Sequence, residues 1–238
     1  MRLTHLGHAC LLVETADQRI LIDPGCFSPG FEELVDLDAI LVTHQHSDHV
    51  DVERLPRLLE LNPGARLLTE AQTAGVLLES DIAAQHLVPG EPTRVGPVEV
   101  TPVGQLHAVN HDQVPRVGNV GVLLRADGEP SLFHPGDAYD AEPGDVDVLA
   151  LPLSAPWCAV RDTLAFARSV APRYAVPVHD AILSEVGRAL YLHHVSSFGP
   201  EGMEVVDLAG GGAPRDRLTP KGAAPTDQAR TPATGHGR

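Results

Sequence analysis

The sequence has little cysteine and few basic residues. Its three cysteines, Cys10, Cys26 and Cys158, include no C-x-x-C pair, which argues against a disulfide framework and against a thiolate zinc site. Lysine and arginine number 17 against 32 aspartate and glutamate, so the formal net charge is −15. Because contacts with phosphate need clustered basic side chains, we expect no nucleic-acid partner.

Long apolar runs are also missing. No stretch approaches the roughly 20 apolar residues that cross a bilayer, and the first residues resemble a strand rather than a signal peptide. We therefore expect no membrane partner and a cytoplasmic location. The remaining composition, 43% hydrophobic and 21% charged over 238 residues, is typical of a globular domain.

Strand and helix patterns are interspersed along the chain. Strands are predicted at residues 2–7, 10–15, 19–23, 39–43, 66–69, 98–103, 120–125, 131–134, 146–151, 174–178 and 204–208. Helices are predicted at residues 53–61, 70–79, 160–170 and 184–195. This mixture indicates an α/β (α+β) fold of two sheets with helices packed outside.

The composition changes after about residue 212. Residues 213–238 are rich in proline, alanine and glycine and have almost nothing to bury. We therefore predict one domain over residues 1–212, followed by a disordered tail over residues 213–238.

The segment His44-Gln45-His46-Ser47-Asp48-His49 directly follows the apolar strand pattern at residues 39–43. Two residues apart, His44 and His46 can face the same side of an extended backbone. Past the next turn, Asp48 and His49 can face the other side, so one loop can serve two metal ions. Ligation by nitrogen and oxygen without sulfur favours zinc, with manganese or iron as alternatives.

This segment resembles the signature of the metallo-β-lactamase superfamily. Other segments resemble the branch that includes ascorbate-6-phosphate-lactonase-like hydrolases, in the same order along the chain: residues 6–9 (LGHA), 20–25 (ILIDPG), 133–137 (FHPGD) and 175–179 (AVPVH). The resemblance covers about residues 1–208. It implies a four-layer αββα sandwich, with a metal site at one edge between the two sheets.

The resemblance also implies roles for individual residues at two divalent metal ions. The first ion would be bound by His44, His46 and one further histidine. The second ion would be bound by Asp48, His49 and His179.

Asp137 resembles the carboxylate that bridges the two ions, and Gly136 before it permits a tight turn. The further histidine is His107 or His111. His107 lies at the better spacing from Asp137, and we predict it as the ligand. His111 is then predicted to act catalytically, as a hydrogen-bond donor to substrate.

Three more residues are candidates for supporting roles. Asp23 is expected to fix the ring of a ligand histidine, and His134 to orient Asp137 or a neighbour. His8 either faces the metal pocket or is satisfied within the core. Arg116 or Arg161 could bind an anionic substrate, and Trp157 either lines the pocket or packs a loop.

We predict a metal-dependent hydrolase acting on a small-molecule substrate that is an ester, lactone, amide or phosphodiester. Paired divalent cations activate water near neutral pH, and Asp48 is expected to assist by moving its proton. The alternatives are a nucleic-acid phosphodiesterase of the same fold and a non-catalytic metal-binding scaffold protein. Assembly into a homo-oligomer stays open.

Overall fold

Two sheets of seven strands form the body of the chain in a computed structural model, which describes residues 1–209, 215–216 and 218–221. The strands are β1 (Arg2–Gly7), β2 (Cys10–Thr15), β3 (Gln18–Ile22), β4 (Ala39–Val42), β5 (Arg66–Thr69), β6 (Gln85–His86), β7 (Thr93–Val95), β8 (Val98–Val103), β9 (Gly121–Arg125), β10 (Leu132–His134), β11 (Val148–Pro152), β12 (Tyr174–Val178), β13 (Glu204–Val205) and β14 (Arg215–Asp216). The helices are α1 (Leu55–Leu61), α2 (Ala71–Leu78), α3 (Val160–Val170) and α4 (Glu185–Phe198), with a 3-10 turn at Phe31–Glu33.

The strand order is β14-β1-β2-β3-β4-β5-β6 in the first sheet and β13-β12-β11-β10-β9-β8-β7 in the second. Strands β3 to β6 run parallel, as do β10 to β13. The carboxyl ends of parallel strands share one edge of a sheet, so loops after β4, β10 and β12 can supply side chains to a common site.

Alternation along the central strands explains the layers. In β11, Val148 and Ala150 point into the core between the sheets, whereas Leu149 packs outward with Phe166 of α3. In β4, Leu41 points inward and Ile40 outward toward α1 and α2. Strands covered on both faces have continuous apolar sequences. The predicted αββα sandwich is confirmed.

The predicted helices and longer strands are all present, and the differences concern short elements. Three strands of two or three residues, β6, β7 and β14, were missed. They are too short to show an alternating pattern in the sequence. Among the described helices, none is long and apolar enough to cross a membrane.

Part of the predicted tail packs against the domain. Strand β14 pairs with β1, and Leu218 is buried in the core between the sheets. The backbone of Leu218 also donates to the Met1 carbonyl oxygen at 3.3 Å. The boundary at residue 212 stays a prediction, and these contacts show that described residues beyond it touch the domain. Residues 222–238 of the predicted tail lie outside the described residues.

Candidate metal centre

The loop after β4 supplies four of the predicted ligands. It is held against the loop after β3, where the Cys26 backbone donates to the Ser47 carbonyl oxygen at 2.7 Å. At Gly25 the approach is so close that a Cβ would lie 1.9 Å from the Asp48 carbonyl oxygen. Only glycine fits there, and the contact fixes where the loop turns.

Two groups of side chains meet at the edge between the sheets. The first cluster consists of His44, His46, His107 and Asp137, and the second of His8, Asp48, His49 and His179. Within each cluster, all the ligand atoms lie within 4.8 Å of one another. The structure therefore brings together all seven predicted metal-binding residues and adds His8.

In the first cluster, His44 Nε2 and His46 Nδ1 are 3.0 Å apart. His107 comes from the loop between β8 and β9, where its backbone donates to the Val117 carbonyl oxygen at 3.0 Å. The following residue, Ala108, donates to the backbone oxygen of Asp137 at 2.7 Å. The loop is therefore fixed to the chain segment that holds the shared carboxylate.

Asp137 lies between the two clusters. Its Oδ1 is 3.1 Å from His49 Nε2, and its Oδ2 is 3.2 Å from His179 Nε2 and 3.3 Å from His107 Nε2. The turn before it requires Gly136, which has φ +62° and where a Cβ would lie 2.2 Å from Asn119 Oδ1. The Asp137 backbone donates to the same Asn119 oxygen at 3.0 Å.

Three histidine rings are oriented by hydrogen bonds that their Nδ1 atoms donate to oxygen acceptors. His107 Nδ1 donates to the Ala108 carbonyl oxygen and His179 Nδ1 to that of Ser154, each at 2.7 Å. His49 Nδ1 donates to Asp23 Oδ2 at 2.7 Å, as predicted for Asp23. Each neutral ring therefore presents the lone pair of Nε2 to the centre.

His44 is held in the same way by Thr43, whose hydroxyl donates to Asp23 Oδ2 at 2.8 Å. The Thr43 oxygen then accepts from His44 Nδ1 at 3.0 Å. Asp23 is wholly buried and also accepts from the Thr43 backbone at 2.8 Å. One carboxylate thus orients ligand candidates of both clusters.

The inward-facing atoms are buried and lack hydrogen-bond partners among the described residues. They are His49 Nε2, His107 Nε2, His179 Nε2 and Asp137 Oδ1. Buried polar atoms without partners are costly, whereas divalent cations in the two clusters would give each of them a partner. The donor set of imidazole nitrogen and carboxylate oxygen suits zinc, manganese or iron. The residues present therefore fit metal ions.

The electrostatics differ between neighbouring rings. Burial, reinforced by His49, holds the pKa of His44 well below its ordinary value. Burial also opposes protonation of His179, but the nearby carboxylates of Asp137 and Asp48 outweigh it and raise the pKa of that ring to about 9. For Asp137, burial favours the neutral acid, and the neighbouring histidines, His49 foremost, overcome it and lower the pKa well below the usual range.

His111 lies outside both clusters. Its side chain is exposed, and its Nδ1 accepts from the Gln113 backbone at 3.1 Å. Of the two candidates for the third histidine, the structure therefore places His107 in the centre. The catalytic role of His111 as a donor to substrate stays a prediction.

His134 acts on the turn before Asp137. Its Nδ1 accepts from the Gly136 backbone at 3.2 Å, and its Nε2 then donates to the Ala9 carbonyl oxygen at 3.0 Å. The sequence predicted a supporting role for this ring, and the structure supplies the contact.

Asn119 is a functional neighbour that the sequence did not assign, and Trp157 was a candidate only for the walls of the pocket. Trp157 Nε1 donates to Asp137 Oδ2 at 2.9 Å. Its ring also lines a cleft of about 350 Å³ with Ala108, Val109, Arg116, Tyr139 and Asp140. For Asn119, the sequence showed only an asparagine shortly before an apolar strand. That position does not indicate which residue the side chain contacts.

Comparison with known proteins identifies the family. The model of the beta-lactamase superfamily domain matches residues 2–179. The chain belongs to the beta-lactamase superfamily. Protein Rv0786c of Mycobacterium tuberculosis is 45% identical over 192 residues, covering 80% of this chain and 89% of that protein. UPF0173 metal-dependent hydrolase PF1764 of Pyrococcus furiosus is 29% identical over 196 residues, covering 75% and 84%.

A solved structure agrees in fold. Igni18, a metallo hydrolase from Ignicoccus hospitalis, superposes with a TM-score of 0.66 at 20% identity, covering 87% of this chain and 94% of that one. The predicted class, a metal-dependent hydrolase of the metallo-β-lactamase fold, is confirmed at this level. The narrower resemblance to the lactonase-like branch stays a prediction.

Proposed function

We propose that the chain is a dinuclear hydrolase, with zinc as the favoured metal. His44, His46 and His107 would bind one ion, and Asp48, His49 and His179 the other. Asp137 would bridge the two, since it contacts rings of both clusters. The proposal rests above all on the unpartnered Nε2 atoms of His49, His107 and His179, which converge on one buried carboxylate.

When bound, paired divalent cations supply a nucleophilic water near neutral pH and polarise the oxygen of the substrate's carbonyl or phosphoryl group, which makes the attached carbon or phosphorus more electrophilic. The protein's own part is to hold neutral imidazoles and ionised carboxylates in place. Among the carboxylates, Asp48 is partly exposed, with 22% of its side chain accessible. Its carboxylate can therefore reach a substrate and take up or return a proton, which is the general acid–base role proposed for it.

The cleft beside Trp157 is proposed to bind the part of the substrate that does not react. Trp157 and Tyr139 give it apolar walls, with ring centroids 4.8 Å apart. Arg116 places a guanidinium at the same cleft, oriented by donation from its Nε to the His107 carbonyl oxygen at 2.6 Å. Such a cleft suits a small ester, lactone, amide or phosphodiester.

A lactone substrate would match the lactonase-like branch that the sequence resembles. The net charge of −15 argues against a nucleic-acid substrate. Assembly into a homo-oligomer and a cytoplasmic location stay predictions.

Metal content and turnover measured on the same preparation test the proposal. We expect about two equivalents of zinc, manganese or iron per chain, and chelator-sensitive hydrolysis of at least one of a panel of generic esters, lactones, amides and phosphodiesters. His46→Ala should lose the activity, whereas the exposed His111→Ala should keep its metal content.

If the protein bound no metal after reconstitution, the proposal would be refuted and a non-catalytic scaffold would be favoured. Turnover that persists in metal-free protein would also refute it. Cleavage of phosphodiesters only, with a preference for nucleic acid, would instead support the nucleic-acid alternative.

A further inference from the structure

His8 links the two sheets at the second cluster. It lies in the turn between β1 and β2, with φ +49°, and its side chain is inaccessible to solvent. Its carbonyl oxygen accepts from the His179 backbone at 2.8 Å and from His5 Nε2 at 2.8 Å. Backbone in the left-handed region is unfavourable for a non-glycine residue, so this geometry is held by the surrounding contacts.

Both ring nitrogens of His8 have partners. Nδ1 accepts from the Ala181 backbone at 3.3 Å, and Nε2 lies 3.1 Å from Asp48 Oδ2. A neutral imidazole has one hydrogen. Because a backbone N–H occupies the Nδ1 lone pair, that hydrogen is on Nε2 and points at the Asp48 carboxylate.

In its tautomer, His8 differs from the other histidine rings of the two clusters. His49, His107 and His179 donate through Nδ1 and present a free Nε2, whereas His8 accepts through Nδ1. A nitrogen that bears a hydrogen has no lone pair for a metal ion. Although its Nε2 is close enough to be counted with the second cluster, His8 is therefore a donor to that cluster.

Asp48 needs such a donor. It lies on a loop and is the most exposed of the cluster's residues. The other ring near its Oδ2, His179 at 3.5 Å, uses its Nδ1 hydrogen on the Ser154 carbonyl oxygen and, when neutral, has none left for Asp48. With His179 neutral, as a metal ligand must be, rotation of the Asp48 side chain is therefore restrained chiefly by His8.

We propose that His8 is a positioning residue for the second metal ion: its Nε2–H holds Asp48 in the orientation in which that carboxylate binds the ion. The inference rests on the dinuclear function proposed above. Because the backbone of His8 also contacts His179, one residue sets the spacing between two ligands from different sheets.

The test compares two substitutions by titrating metal-free protein with Co²⁺. His8→Phe keeps a ring without the donor, whereas His8→Gln can place an amide N–H near the position of Nε2. We expect His8→Phe to weaken the second cobalt equivalent about 10- to 100-fold and to leave the first unchanged. His8→Gln should restore tight binding of both equivalents, with the d–d spectrum of the unsubstituted protein.

His5→Gln is the matched control, because His5 is a buried histidine of the preceding strand β1 that contacts the backbone of His8 and not Asp48. It should bind two equivalents. If His8→Gln loses the second equivalent as His8→Phe does, His8 is a ligand and the proposal is overturned. Unchanged cobalt binding in His8→Phe would overturn it too.

Nitrogen-15 NMR of the metal-free, unsubstituted protein gives a second measurement that does not depend on how the variants fold. The ring of His8 should show its hydrogen on Nε2, and the ring of His107 should show it on Nδ1. A hydrogen on His8 Nδ1 would overturn the proposal. Failure of the unsubstituted protein to bind any cobalt would refute the dinuclear function, which is a separate outcome from the ring tautomer.

Discussion

Asp137 of the first cluster also contacts rings of the second, but the two clusters differ in composition and support. In the first, three imidazoles meet one carboxylate, and the pKa values of His44 and His46 are lowered, chiefly by burial. In the second, Asp48 adds a carboxylate, and the pKa of His49 is raised despite burial because of Asp137 and Asp23. His44 and His46 are therefore neutral ligands, whereas His49 and His179 hold protons that a metal ion must displace.

Both clusters draw side chains from both sheets, and they differ in support. The loop that carries His107 donates from the Ala108 backbone to the Asp137 carbonyl oxygen, whereas the second cluster depends on the contact between His8 and His179. We therefore expect the second ion to be the more easily lost.

Substitution of the shared carboxylate should have the largest effect. Asp137→Asn removes the negative charge that contacts rings of both clusters, so both ions should bind more weakly. We expect kcat/KM to fall about a thousandfold, or ~4 kcal/mol of transition-state stabilisation. Metal analysis and steady-state kinetics measure this, and loss of only one ion would show that Asp137 serves a single cluster.

Asp23→Asn should act more strongly on the second cluster than on the first. Asp23 accepts directly from His49, and it reaches His44 only through Thr43. The affinity for the second ion is expected to fall about 10- to 100-fold. Thr43→Val is the matched comparison, since it removes the hydroxyl that orients His44. Calorimetric titration measures both affinities. If Asp23→Asn weakened the binding of both ions equally, the proposed difference between the two clusters would be contradicted.

The stability of the metal-free protein should fall on the alkaline side. The folded pKa of His179 is raised to about 9, so its stabilising contribution is complete below its ordinary pKa of about 6.5 and is lost as the pH rises through about 9. Between about pH 7.5 and about pH 9, we expect the free energy of unfolding to drop by about 1–2 kcal/mol.

The histidines whose pKa values are lowered do not oppose this decrease in the free energy of unfolding. His44 and His46 are neutral in both the folded and the unfolded chain over that pH range. Urea denaturation at several pH values measures the drop. Metal-free His179→Gln should show a flatter profile, and an unchanged slope in that variant would contradict the assignment to His179.

Local patterns predicted much of the structure, while contacts between distant residues were not predictable. The His44–His49 loop was recognised because its ligands are adjacent in sequence and follow an apolar strand. The role of His8 depends on a contact with Asp48, 40 positions away, and on a turn with positive φ. Trp157 reaches Asp137 across 20 positions. No single-sequence periodicity encodes such pairings.

The order of the ligands along the chain has a consequence for biosynthesis. His44, His46, His107 and Asp137 all precede residue 140, whereas His179 is the last of the eight cluster residues. A chain still being translated can expose every side chain of the first cluster while the second remains incomplete. Metal ions in the cell can therefore encounter an incomplete centre during synthesis, and the first ion to bind would bind at the first cluster.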